Sequence, residues 1–84
     1  MVRLFKRSDN VYVLDVRGYT CPYPVVFTRK ALSKVPPGTI LEVVIDNPPS
    51  CDTVPDAARK EGHEVVSVNE EEPGVWVVRI KVKR

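Results

Sequence analysis

Alternating and branched apolar residues along this chain predict four β-strands. The strands cover residues 11–16, 40–46, 64–69 and 75–83. The last is the most regular, because its apolar residues from Trp76 to Val82 fall on one face and its charged residues on the other. Two stretches have helical spacing instead, one over residues 24–35 and one that ends near Glu61. Prolines and glycines separate these elements, so the predicted order is β-α-β-α-β-β.

This order predicts a two-layer α/β (α+β) sandwich. Strand–helix–strand crossovers are right-handed and join parallel strands, so both helices are expected on one face of a four-stranded mixed sheet. The opposite face is left to polar side chains such as Glu42, Arg79 and Lys81, which favours a monomer. Residues 1–9 are expected to form a flexible or edge segment of a single domain that covers residues 1–84.

Composition narrows the class of protein. A chain of 84 residues has room for one core, and its 43% apolar and 29% charged residues are typical of a soluble globular domain. A formal charge of +2 is too small to indicate nucleic-acid binding by itself. Two cysteines do not make a disulfide-dense secreted scaffold, and no signal peptide or membrane span is apparent. We therefore expect a cytoplasmic protein.

The tetrapeptide Cys21-Pro22-Tyr23-Pro24 is the strongest indication of chemistry. It places a thiol between the first predicted strand and the first predicted helix, where prolines suit the opening turn. A lone cysteine is more often a small buried hydrophobe than a reagent. At a helix N-terminus, however, free N–H groups and the helix dipole lower a thiol pKa from about 8.5 and favour the thiolate. Cys21 is therefore a candidate nucleophile.

Several segments together carry a resemblance to a known family. Residues 14–18 (Leu-Asp-Val-Arg-Gly), then 21–24 and then 29–32 (Arg-Lys-Ala-Leu) resemble the sulfurtransferase TusA/SirA-like family of small sulfur-carrier proteins. The resemblance covers nearly the whole chain. It implies a fold like the C-terminal domain of translation initiation factor three. It also implies that Cys21 accepts sulfane sulfur as a persulfide and passes it to another protein.

The resemblance also implies the partners. The donor would be a cysteine desulfurase or a rhodanese-type protein, and the acceptor a downstream sulfurtransferase. The pathways it implies include tRNA thiolation, molybdenum-cofactor synthesis and sulfur oxidation, among which the sequence does not choose. Apart from the covalent persulfide, no cofactor is expected, and neither nucleic acid nor membrane is expected as a direct partner.

Residues around the cysteine have candidate supporting roles. Pro22 and Pro24 would stiffen the start of the helix and hold the sulfur in place. Gly18 lies in the preceding turn. Asp15 could orient the backbone around Cys21, although an ordinary turn hydrogen bond explains it equally well.

Basic residues near the motif are open to two interpretations. Arg17, Arg29 and Lys30 could add positive potential and a docking surface for partner proteins. They could equally form the solvated surface of a helix and a loop.

The second cysteine departs from the family pattern. Cys51 is predicted on the same sheet edge as Cys21, either as a small residue at a helix start or as a resolving thiol that closes a disulfide. Thr53 is a further departure from the family pattern, because many family members carry an acidic residue at this position. A zinc site is rejected, because Cys21, Cys51 and His63 include no Cys-X-X-Cys pair.

Two other functions remain as alternatives. The first is a dithiol redox protein that uses Cys21 and Cys51. The second is a non-catalytic regulatory or nucleic-acid-binding module, suggested by the outward stripe of Arg79, Lys81 and Lys83.

Overall fold

The computed structural model describes residues 3–19, 23–48 and 50–83, without the side chains of Arg3, Ser50 and Cys51. The predicted sites Cys21 and Pro22 lie outside the described residues. The elements in chain order are β1 Arg3–Ser8, β2 Val11–Asp15, α1 Tyr23–Lys34, β3 Ile40–Ile45, α2 Ser50–Lys60, β4 Glu64–Glu72 and β5 Val75–Lys81.

The strands form one mixed sheet in the order β1-β2-β3-β5-β4. β2 and β3 are parallel, as expected for strands joined through a helix, and the other neighbours are antiparallel. Both helices pack on one face of the sheet. The predicted two-layer α+β sandwich with its mixed sheet is therefore confirmed.

The number of strands is a correction, because the sheet has five strands and not four. The additional strand is β1, which pairs antiparallel with β2 and places Leu4 opposite Leu14. Its sequence, Arg-Leu-Phe-Lys-Arg-Ser, lacks regular alternation because a strand at the sheet edge needs little apolar surface. Of the two forms proposed for the N-terminal segment, the structure contains the edge strand.

The hairpin after β4 is shorter than predicted. Residues 70–72 were expected in the connection, but β4 continues to Glu72 and pairs with β5 as far as Val75. Pairing with β5 outweighs the low β-propensity of three consecutive glutamates.

The core lies between the sheet and the two helices. Its buried side chains are mostly branched aliphatic residues contributed by β2, β3, β5 and both helices. They are Leu14, Val16, Ala31, Leu32, Val35, Leu41, Val43, Ile45, Val54, Ala58, Val78, Ile80 and Val82. The alternation predicted for the last strand is confirmed, since every second residue from Trp76 to Val82 packs in or against this cluster.

The helix-free face of the sheet is less polar than predicted. Val13 and Val77 are buried on this face; Val13 pairs with the buried Glu42, and Val77 pairs with Val44, the next residue of β3 on the same face. Two guanidinium groups, from Arg7 and Arg79, form ion pairs with the Glu42 carboxylate. This pairing allows a charged residue to lie among valines at low solvent exposure.

The parallel pair β2–β3 determines where a site can form. Val11 pairs with Ile40 and Asp15 with Val44, so both strands end at the same edge of the sheet. α1 and α2 are the elements that follow these two strands. The segments that lead into the two helices are therefore brought to one edge, as sites in such sheets commonly are.

Candidate functional site

The turn after β2 directs the chain towards α1. Tyr19 donates its backbone N–H to the Val16 carbonyl at 3.4 Å, and Gly18 has φ of +88°. A positive φ at the third residue is what a type II turn requires, and a glycine adopts it without steric strain. The predicted turn is thus confirmed, and α1 then begins at Tyr23, two positions after Cys21.

A carboxylate from the next strand holds this turn. Asp46 directly follows β3, and its two carboxylate oxygens accept the backbone N–H of Gly18 at 3.0 and 3.1 Å. The contact spans 28 positions of sequence. It therefore ties the segment that leads to Cys21 to the end of β3.

A second carboxylate acts within the turn itself. Asp15 Oδ1 accepts the backbone N–H of Arg17 at 3.1 Å, which is an ordinary Asx-type turn bond. The Arg17 guanidinium also donates to both Asp15 oxygens, at 3.0 and 2.9 Å. These hydrogen bonds raise the pKa of Arg17 above its ordinary value. Arg17 is exposed and has its own carboxylate partner, so much of its charge is neutralised locally.

The start of α1 is basic and apolar. The helix, Tyr-Pro-Val-Val-Phe-Thr-Arg-Lys-Ala-Leu-Ser-Lys, has no acidic residue in its first turn or elsewhere. Pro24 is buried in that turn, and its carbonyl accepts the Thr28 hydroxyl at 2.7 Å. Because α1 itself contributes no carboxylate to oppose its N-terminal dipole, this helix end favours an anion in the preceding segment.

Three aromatic rings cluster at the start of α1. Tyr19 and Phe27 meet edge to face, with ring centroids 5.1 Å apart. Tyr23 and Phe27 are stacked at 6.4 Å. Tyr19 and Tyr23 are the described residues on either side of positions 20–22, and the Tyr23 side chain is 56% exposed. An apolar surface therefore borders the predicted site.

The two basic residues predicted for docking differ in their surroundings. Arg29 Nε forms an ion pair with Glu61 Oε1 at 2.9 Å, which joins α1 to the end of α2. Lys30 is exposed and forms no ion pair with any described residue. Lys30 is the better placed of the two to meet a partner.

The start of α2 differs in charge from the start of α1. Cys51 lies in its first turn, and so does Asp52. The distance between the two thiols depends on Cys21 and on the Cys51 side chain, and both lie outside the described part of the structure. Pro55 lies inside α2 and not in its first turn. The neighbouring Val54 and Ala58 are buried, and their packing stabilises the helical conformation around the proline.

His63 lies at the other end of α2. Its Nδ1 accepts the backbone N–H of Lys83 at 3.0 Å. The neighbouring Glu64 forms an ion pair with Lys83 Nζ at 2.9 Å, and the hydrogen bonding and charge of Lys83 lower the pKa of Glu64. These contacts fasten Lys83 to the turn before β4, so His63 has a structural role.

Comparison with known proteins decides the family. The family model described as sulfurtransferase TusA matches residues 12–82. The chain belongs to the sulfurtransferase TusA family. The recognition made from residues 14–18, 21–24 and 29–32 is therefore confirmed, and with it the coarse assignment as a sulfur-carrier type of protein.

Individual relatives agree with this family. A proposed sulfur carrier protein of Thermotoga maritima is 50% identical over 70 residues, which cover 83% of this chain and 89% of the relative. The proposed sulfur carrier protein YedF of Escherichia coli K12 is 41% identical over 64 residues, covering 76% of this chain and 83% of YedF. The crystal structure of a SirA-like protein from Desulfitobacterium hafniense superposes with a TM-score of 0.75 at 27% identity, over 88% of this chain and 99% of that protein.

The site residue that sequence reasoning missed is Asp46. Only the strand order points to it, because an acidic residue directly after a strand parallel to β2 lies near the turn that follows β2. The aromatic cluster of Tyr19, Tyr23 and Phe27 was also missed, since Tyr23 was considered only as part of the motif. Within the described residues no group of three or more His, Cys, Asp and Glu side chains could hold a metal ion, and no helix is long and apolar enough to cross a membrane.

Proposed function

We propose that Cys21 is a persulfide acceptor that relays sulfane sulfur between partner proteins. The observation that carries the proposal is the start of α1. This helix begins two positions after Cys21, carries no acidic residue, and follows a turn that is anchored to β3 through Asp46. Membership of the sulfurtransferase TusA family supports the same chemistry.

The transfer needs two thiolate attacks and no external oxidant. In the first, the Cys21 thiolate attacks the terminal sulfur of a donor persulfide. The donor S–S bond breaks, and its electron pair leaves with the donor thiolate. In the second, an acceptor thiolate attacks the terminal sulfur on Cys21, and the Cys21 thiolate is regenerated. No cofactor other than the covalent persulfide takes part.

The surroundings of Cys21 favour both steps. Free N–H groups at a helix start stabilise an anion, whether thiolate or persulfide. The anchored turn limits the positions available to the sulfur, so less ordering is required when a partner docks. A cysteine desulfurase or rhodanese-type protein would serve as donor and a downstream sulfurtransferase as acceptor, as in thiolation or cofactor-synthesis pathways.

The decisive experiment is intact mass after incubation with a persulfide donor. We expect wild-type protein and Cys51→Ser to gain one sulfur atom, and Cys21→Ser to gain none. A gain on Cys21→Ser, or loss of the gain in Cys51→Ser, contradicts the proposal. The second result would instead favour the dithiol redox function.

The nucleic-acid alternative receives little support from the basic stripe. Arg79 forms ion pairs with Glu42 and Glu71, and Lys83 with Glu64. These carboxylates neutralise charges that would otherwise contact phosphates. The positive potential of the stripe is therefore weak, and so is its attraction for nucleic acid.

A further inference from the structure

A groove lies between β1 and one side of α1. Its walls are apolar side chains of β1, of the adjacent strand β2 and of α1, together with two lysines of α1. They are Leu4, Leu14, Phe27, Lys30, Ala31 and Lys34. The groove has a volume of about 210 Å³. A water molecule occupies roughly 30 Å³ in the liquid. The groove therefore has room for several water molecules or for one large apolar side chain.

The groove is continuous with the start of α1. Tyr23, Phe27, Ala31 and Lys34 recur at helical spacing and form one stripe along the helix. The stripe begins at the residue that directly follows Pro22 in the sequence. A partner that lies along it would therefore reach the segment that carries the sulfur.

The rim of the groove is basic and unpaired. Lys30 and Lys34 line it, and Lys6 lies on the same face of β1 as Leu4. None of these three lysines forms an ion pair with another residue in the part of the chain that the structure describes. Because α1 has no acidic residue, nothing on this helix offsets their charge. The rim is complementary to carboxylates.

The floor of the groove includes a strand that the family match leaves out. The matched range is 12–82, whereas β1 ends at Ser8. Leu4, which is 38% exposed, extends the apolar surface beside Leu14 and Phe27. The groove is therefore formed jointly by the family fold and by a segment outside the matched part.

We propose that this β1–α1 groove is the docking site of the partner protein that exchanges sulfur with Cys21. The partner inserts one apolar side chain into the groove and places carboxylates against Lys30 and Lys34. The proposal rests on the proposed function, because it names the partner surface for that same cysteine. A narrow concave site with a charged rim suits a protruding side chain of a protein better than a membrane surface.

The test compares two synthetic peptides that each carry one cysteine persulfide and the same apolar residues. One has glutamates on both sides and the other has lysines, and sulfur transfer to Cys21 is followed by intact mass at low salt. We expect the acidic peptide to transfer about five- to tenfold faster, with a preference that falls as salt is raised. The double variant Lys30→Glu/Lys34→Glu should remove or invert this preference.

A matched control separates the groove from net charge. The double variant Arg59→Glu/Lys81→Glu changes the net charge equally at positions outside the groove, and it should keep the preference. Leu4→Ser should slow transfer from both peptides severalfold, because the apolar floor is shared. A small-molecule persulfide should load every variant at the wild-type rate.

Three results would overturn the docking proposal. They are equal rates for the two peptides with wild-type protein, an equal loss of preference in both double variants, or lysine-dependent binding to anionic phosphatidylserine vesicles without any peptide preference. If no donor loads Cys21, the proposed sulfur transfer itself fails. Fluorescence anisotropy of a serine version of the acidic peptide still reports on the groove in that case.

Discussion

The two strand–helix connections at the carboxyl ends of β2 and β3 are alike in topology but lead into helices whose first turns differ in charge. Each leaves one strand of a parallel pair and leads into a helix with a cysteine at or before its start. α1 carries no acidic residue, whereas α2 carries Asp52 in its first turn, next to Cys51. A carboxylate there competes with a thiolate for the same helix end. Local charge, and not fold position, therefore distinguishes the two cysteines.

The connections also differ in how they are held. The turn before α1 is tied across the sheet by Asp46 and internally by Asp15. Aromatic contacts between Tyr19, Phe27 and Tyr23 extend this support into the helix. The proposed reactivity of Cys21 therefore rests on two features, a helix start without acidic residues and an anchored turn before it.

The largest expected effect is a difference in thiol reactivity between the two cysteines. At neutral pH we expect iodoacetamide to modify Cys21 about tenfold or more faster than Cys51, because a helix start without acids increases the thiolate fraction. The single variants Cys51→Ser and Cys21→Ser isolate each rate, which mass spectrometry follows over a range of pH. Equal rates would show that the charge difference has no chemical consequence.

Removal of the anchor should have the next largest effect. Asp46→Ala leaves the Gly18 N–H without its carboxylate and should slow sulfur acceptance by about five- to tenfold, because a displaced nucleophile reacts poorly. A hydrogen bond to a charged acceptor contributes about 1.5–3 kcal/mol, which we reduce to about 1 kcal/mol because Asp46 is exposed. Denaturant unfolding measures this loss.

Two variants control the anchor experiment. Asp46→Asn keeps one oxygen for the Gly18 N–H and should recover most of the rate. Asp56→Ala removes an exposed carboxylate paired with Lys60 on α2 and should leave sulfur acceptance unchanged. A normal rate in Asp46→Ala would mean that the turn holds its position without β3.

A smaller effect is expected from strain in the turn itself. Gly18→Ala places a Cβ at φ of +88° and should destabilise the protein by about 1–2 kcal/mol. Sulfur acceptance should fall about threefold as the turn shifts. Gly38→Ala is the matched control. Gly38 has φ of +87° in the turn before β3, so it lies at the opposite end of the strands from Gly18.

The two glycine variants should separate stability from chemistry. Both should lose similar stability in thermal unfolding, since the added Cβ has no neighbour within 4 Å at either position. Only Gly18→Ala should transfer sulfur more slowly. If both variants slow transfer equally, the effect comes from general destabilisation.

The smallest expected effect tests Asp52. Asp52→Asn removes the carboxylate from the first turn of α2 and should raise the alkylation rate of Cys51 about two- to threefold, in line with about 0.3–1 kcal/mol for a charge at a helix end. Alkylation of Cys21 in the same sample is the internal control. An unchanged Cys51 rate would indicate that Asp52 does not affect this helix start.

Much of this architecture could be predicted because its signals are local. The alternation in residues 75–82 and the turn glycine at position 18 each express a preference of one short segment. Family resemblance likewise rested on short motifs. The N-terminal segment was predicted only as flexible or edge, because residues 3–8 show no periodicity and the strand conformation of β1 depends on pairing with β2.

Local residue chemistry was thus enough to indicate the strands, the helices and the cysteine at a helix start. Tertiary pairing decided which distant groups meet: Asp46 with Gly18, the two arginines with Glu42, and Leu4 with α1. The physical reason is that a hydrogen bond or ion pair over 28 or more positions leaves no trace in the spacing of neighbouring residues. Such contacts become visible only when strand order and register bring the partners together.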